Sequence, residues 1–132
     1  MIDIRKRIQE HDAFCRLAGV VIDEVGTGTA RGHLDVGPQH LNSVGTVQGG
    51  AIFTLADTLF AAACNSYGQV AVAANVQIVF LRGVEGGRLI AEAREVHLGR
   101  KLAHYEVDVT SDDGRKVALF RGEAYRTSRE HE

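Results

Sequence analysis

The sequence has little proline, little cysteine, little net charge and no long apolar run. One proline and two cysteines occur in 132 residues, and 15 Lys plus Arg stand against 17 Asp plus Glu for a formal net charge of −2. Each scarcity excludes something. Without a cationic surplus, a nucleic-acid partner is not expected, because neutralising several phosphates takes a basic surface. Without an uninterrupted apolar stretch of ~18 to 20 residues, no membrane span is expected. The first ten residues carry the charges of a helix and lack the apolar core of a secretory signal, so a cytoplasmic location is expected. Cys15 and Cys64 sit in apolar helical patterns without metal-ligand spacing and read as reduced core residues rather than a disulfide. What is present is a 45% hydrophobic, 24% charged chain with 15 glycines, which excludes disorder and describes a single domain over residues 1–132. With one proline, turns must rely on glycine's access to positive φ.

Residues 3–17 place Ile4, Ile8, Phe14, Cys15 and Leu17 among charged side chains, which predicts one amphipathic N-terminal helix stopped by Gly19. Segments 20–25 and 30–36 flank Gly26 and Gly28 and read as a hairpin. Gly26-Thr27-Gly28 lacks a following helix and a lysine, so it is a turn and not a phosphate loop. Residues 37–47, with Pro38, Asn42, Ser43 and Gly45, have no period and read as a loop. Residues 51–64, AIFTLADTLFAAAC, predict a helix in which Thr54, Asp57 and Thr58 are the only polar side chains, and such a helix is expected to be buried on all faces. The rest alternates with period two through Val76, Ile78 and Phe80, then Leu89 to Arg94, then Ala103 to Val109. The Asp112-Asp113-Gly114 turn leads to a last strand over 116–125 and a polar tail over 127–132. Connections between the late strands are too short for parallel crossovers, so an α+β fold follows, an antiparallel sheet with its helix on one face.

Asp57 is the sharpest feature, because a carboxylate on an apolar helix costs several kcal/mol unless something meets it. It reads either as a structural acid capping a loop or as a functional one. Gln48, Gly49 and Gly50 precede the helix, and a glycine-rich helix N-terminus presents backbone N–H groups at a positive dipole end, ready for an anion or a developing oxyanion. Paired glycines can equally serve only for close backbone approach. Asp57 follows Gly49 by eight residues, ~12 Å along a helix axis, so one chain cannot join them. Two copies with antiparallel helices can, which predicts a two-fold dimer with shared sites.

His40-Leu41-Asn42-Ser43-Val44-Gly45, then Gln48-Gly49-Gly50, then Leu55-Ala56-Asp57-Thr58 resemble the hotdog-fold acyl-CoA thioesterases of the phenylacetate-degradation type. The likeness covers nearly the whole chain, and the spacing of Asn42, Gly49 and Asp57 is its specific part. It implies a sheet wrapped around a long central helix with an extra N-terminal helix. It also implies hydrolysis of an acyl- or aryl-CoA, no metal or other cofactor, and a dimer of dimers. Asp57 would be the catalytic carboxylate, as nucleophile or through a water. Gly49 would offer its N–H to the thioester oxygen, Gly50 and Gln48 would complete the helix start, and Asn42 would hold the water or the carbonyl. One positioned oxyanion donor can supply ~3 kcal/mol. His11, His33, His40, His97, His104 and His131 are scattered without ligand spacing, in keeping with a metal-free site.

One departure stands out. Many members of the family carry His-Gly-Gly where this chain has Gln48-Gly49-Gly50. An amide donates and accepts hydrogen bonds but carries no proton or charge, so either the activity survives or the chain is a binding module that holds acyl-CoA without turnover. The retained acid, glycines and Asn42 favour the enzyme; a hotdog hydratase would need a His-bearing acid and base pair that is not visible here. For the substrate's phosphates, Arg82, Arg100 and Lys101 lie near strand ends, in the last case within the Gly99-Arg100-Lys101 turn, and His40 is a further binding candidate.

Overall fold

A computed structural model describes residues 2–132. The elements are α1 (Ile4–His11), α2 (Ala13–Ala18), β1 (Val20–Gly26), β2 (Thr29–Asp35), a 3-10 turn (Pro38–His40), α3 (Gly49–Cys64), β3 (Gln69–Phe80), β4 (Arg88–Leu98), β5 (Leu102–Ser111) and β6 (Lys116–Glu130). All six strands form one antiparallel sheet in the order β1-β2-β4-β5-β6-β3, with α3 packed on one face. This is the wrapped-helix architecture that the hotdog resemblance implied.

Two expectations need correction. The N-terminal helix is two helices, because Asp12 takes extended backbone angles and its carboxylate accepts from the Cys15 N–H at 2.9 Å, capping a new helix. Gly19, at φ 84°, ends α2 as expected. The polar tail is strand: β6 runs to Glu130, and β3 starts at Gln69, where pairing with β6 is secured by Arg126 Nη2 donating to Gln69 Oε1 (2.7 Å) and Thr127 Oγ1 to the Val70 carbonyl (2.6 Å). A strand held by ladder and side-chain bonds needs no buried face, so its polarity concealed it.

The core lies between α3 and the sheet. Phe60 stacks edge-on with Tyr105 at 5.7 Å and tilts against Phe120 at 5.6 Å. Gly122 makes room for it, since a Cβ there would fall 2.6 Å from the Phe60 ring. The two sheet edges differ. Along β1, the Gln9 side chain acts as a short surrogate strand: Nε2 donates to the Val20 carbonyl (3.0 Å) and Oε1 accepts from the Ile22 N–H (2.8 Å). Along β3 the outer edge has no pairing strand among the described residues, and Val72, Val79 and Phe80 are exposed there.

Candidate functional site

The start of α3 leaves one backbone donor open. Gln48 is the N-cap, and its Oε1 accepts from the Gly50 N–H at 2.6 Å. The Gln48 carbonyl accepts from Ala51 (2.9 Å) and Ile52 (3.3 Å). Among the described residues the Gly49 N–H alone in this first turn has no partner. It shares a peptide plane with the Gln48 carbonyl, which points into the helix, so it points out of the helix start. Gly49 therefore keeps its donor open, as expected of the thioester-oxygen donor, while Gly50 serves the cap. Gly49 also lies close under Phe80: a Cβ would sit 3.1 Å from the Phe80 ring, which lies half-exposed over the helix start, so a side chain there would push the ring aside.

Asp57 lies two turns further along. The helix is not buried on all faces as expected, because Gly50 is exposed and Phe53, Thr54, Asp57 and Ala61 are only half-buried, marking a stripe at helical spacing. Asp57 has no hydrogen-bond or ion-pair partner among the described residues, so it does not cap a loop. Burial pushes its carboxyl above the usual carboxylate range, and the like charge of Asp12 pushes it further. Next to it, Thr58 Oγ1 donates to the Thr54 carbonyl at 2.7 Å. Cys15 and Cys64 are free and buried, with the Cys64 thiol pushed up to about 12, chiefly by burial.

Asn42 holds its own loop: Oδ1 accepts from Val44 (3.0 Å) and Thr46 (3.1 Å), and Nδ2 donates to Thr46 Oγ1 (2.9 Å). One Nδ2 hydrogen remains for another acceptor. His40 does not fit the expected binding role, because the ring is buried and both nitrogens are engaged, Nδ1 with the Gly37 N–H (2.9 Å) and Nε2 with the Ala18 carbonyl (2.6 Å). Arg82 is similarly committed: it bonds Ser111 Oγ and lies 3.7 Å from Asp113, tying the β3–β4 connection to the β5–β6 turn. The Ser111 hydroxyl, then the Arg115 N–H, hold the Asp113 carboxyl below the usual range. Arg100 and Lys101 are exposed on the β4–β5 turn, without side-chain partners among the described residues.

These groups fall at two ends of one chain. Arg82 lies with Thr46, Val84 and the start of α3, since the Val47 N–H donates to the Val84 carbonyl at 2.7 Å. Arg100 and Lys101 lie toward the far end of α3: Arg126 donates to the Lys101 carbonyl from its N–H (2.6 Å) and to the Gly99 carbonyl from Nη1 (3.0 Å), and its guanidinium lies 5.3 Å from the Tyr67 ring just beyond the helix. Sequence reasoning missed Phe80 and Asp12. Phe80 carries no local sign of its contact with Gly49, whereas Asp12, three residues before Cys15, has a helix-capping signature. Among the described residues no group of three His, Cys, Asp or Glu side chains could hold a metal.

A sequence model of the Thioesterase superfamily matches residues 44–118. The chain is 40% identical over 118 residues to the Escherichia coli acyl-coenzyme A thioesterase PaaI, covering 89% of this chain and 84% of that protein. The solved structure of E. coli PaaI, a protein of the phenylacetic acid degradation operon, superposes with a TM-score of 0.91 at 36% identity, over 95% of this chain and 91% of that one. A Streptococcus mutans protein solved with acetyl CoA bound gives a TM-score of 0.81 at 27% identity, over 85% of this chain and 91% of that one.

Proposed function

The chain belongs to the thioesterase superfamily, and from that premise we propose that it hydrolyses an acyl- or aryl-CoA to the free acid and coenzyme A at a site shared by two copies. The observation that carries this reading is Asp57, a half-buried carboxylate without a partner among the described residues, on a helix whose other polar side chains are Thr54 and Thr58. A carboxylate so placed is a reagent awaiting an electrophile. An acyl thioester is one that needs no metal activation, because its thiolate leaving group is stable near neutral pH.

Asp57 attacks the thioester carbonyl directly, or takes a proton from a water that does. In either route negative charge builds on the carbonyl oxygen, and the outward Gly49 N–H at the positive end of α3 is the donor placed to meet it. The C–S bond then breaks, releasing coenzyme A thiolate. Direct attack leaves a mixed anhydride that water cleaves; the water route gives the acid at once. The free Nδ2 hydrogen of Asn42 is a further donor for water or carbonyl. Gln48 supports the helix start as a cap, a task that needs no imidazole charge, which favours turnover despite its replacing the family's histidine.

Several features support the second copy. The half-buried stripe on α3 is a surface for another α3. With β1 closed by Gln9, β3 is the edge along which a sheet can extend. Antiparallel pairing brings Gly49 of one copy toward Asp57 of its partner, along with the Arg100–Lys101 turn, whose unpaired cations suit the phosphates of coenzyme A. Family resemblance extends this to a dimer of dimers. Two free, buried cysteines suit a reducing, cytoplasmic setting.

The test is release of free thiol from a panel of aryl- and medium-chain acyl-CoAs by the wild type, Asp57→Ala and Asp57→Asn. Turnover by the wild type and its loss, about 10²- to 10⁴-fold, in both variants is expected. Equal inertness of all three with binding retained would replace the enzyme by an acyl-CoA-binding module.

A further inference from the structure

The open Gly49 N–H is useful only if its direction is fixed, and the structure shows what fixes it. That N–H belongs to the Gln48–Gly49 peptide, whose plane is set by the groups around Gln48. On one side the Gln48 carbonyl is taken by Ala51 and Ile52; on the other the Gln48 N–H donates to the His40 carbonyl at 2.8 Å. The Gln48 side chain is occupied by Gly50. The direction of the Gly49 N–H thus depends on where the His40 backbone sits.

His40 is anchored by its ring. Ala18 ends α2, and its carbonyl is one of those a helix C-terminus leaves without an internal partner. Since that carbonyl can only accept, Nε2 carries the hydrogen across 2.6 Å; since the Gly37 N–H can only donate, Nδ1 is bare across 2.9 Å. The ring is buried, so no water stands in for either bond. Resting on the reading above, we propose that His40 is a positioning residue for the thioester-oxygen donor: it transmits the fixed end of α2 through its ring and carbonyl to the Gln48–Gly49 peptide. The N-terminal helices are then part of the site although none of their side chains needs to touch substrate.

The two nitrogens can be separated by substitution. In His40→Gln the amide nitrogen reaches the Nε2 position and keeps the bond to Ala18; in His40→Asn the amide oxygen mimics Nδ1, keeps Gly37 and loses α2. The expected result is that His40→Asn lowers kcat per folded enzyme about tenfold or more with KM within about twofold of wild type, because a displaced donor weakens the transition-state oxyanion more than the ground-state carbonyl. His40→Gln retains most of the rate. Amide hydrogen exchange supplies a readout independent of turnover: protection across residues 50–52, whose N–H groups are bonded to Gln48, falls in His40→Asn and persists in His40→Gln. A purely structural role would lower the folded fraction but leave kcat per folded enzyme unchanged. That result, equal losses in both variants, or unchanged exchange at 50–52 would each overturn the proposal. Should the wild type release no thiol, the thioesterase reading fails, and the exchange comparison still decides whether His40 orients the helix start.

Discussion

Asp57 is disfavoured as an anion in the folded chain and is needed as one for the chemistry, and both consequences are measurable. Its carboxyl stands above the usual range because burial and Asp12 oppose ionisation. The folded state therefore holds this proton to higher pH than the unfolded state, so stability falls as pH rises from the ordinary carboxylate value to the folded one and is level above it. Asp57→Asn should raise the melting temperature at pH 7 by differential scanning calorimetry, with the gain vanishing below the usual carboxylate pKa. The pH profile of kcat/KM for the wild type, which reports the free enzyme, should show an acidic limb with its midpoint above that range; a midpoint within it would contradict the assigned environment. Gln48 gives a further test at this scale. Gln48→Ala removes a cap bond of 2.6 Å and should cost about 1 kcal/mol in urea unfolding, with a partial loss of turnover as the first turn of α3 frays.

Among the elements, α1 closes a sheet edge. Ile22 and Val20 are fully buried, so the backbone groups that meet Gln9 have no ready access to water. Gln9→Ala leaves one N–H and one C=O unmatched, with an expected cost of about 1 to 3 kcal/mol in urea unfolding. Unaltered stability would mean that the clamp is idle. The Asp12 break has the same logic. By restarting the helix, it turns α2 toward α3 and brings Asp12 close enough to bias Asp57.

At the level of the whole molecule, one chain holds an open donor at one end of α3 and an unpaired acid beyond its middle, with Arg82 bound to the turn beside the donor and Arg100 and Lys101 unpaired at the far end. A shared site makes a quantitative prediction. Gly49→Pro deletes the N–H at a first helical position, where proline's backbone is tolerated and the extended backbone of Gln48 suits a residue before proline; its ring displaces the exposed Phe80 side chain. Gly49→Pro and Asp57→Ala should each be nearly inactive. Unfolding the two together and refolding them as an equal mixture should restore about a quarter of wild-type turnover, because half the dimers are mixed and each holds one intact site of two. Sedimentation should show a dimer or larger assembly at micromolar concentration. No recovery on mixing would place each site within one chain.

Much of this was legible from residues close together in sequence. The period-two and helical patterns placed α3 and all six strands, since both report which side of an element is apolar. Asp57 stood out by contrast with its helix, and Gly49 by what a helix start leaves unpaired. What the sequence could not decide were partners brought from afar. The Gln48 side chain turned out to cap Gly50; Asp113, 31 positions beyond Arg82, claimed a cation offered for phosphate; Ala18 claimed the ring of His40. The far half of β6 was hidden because its strand character comes from β3, not from any alternation of its own. Periodicity and chain stiffness are local and are written in the order of the residues, whereas burial and the competition for each hydrogen bond depend on which distant groups arrive, and only the folded chain brings them together.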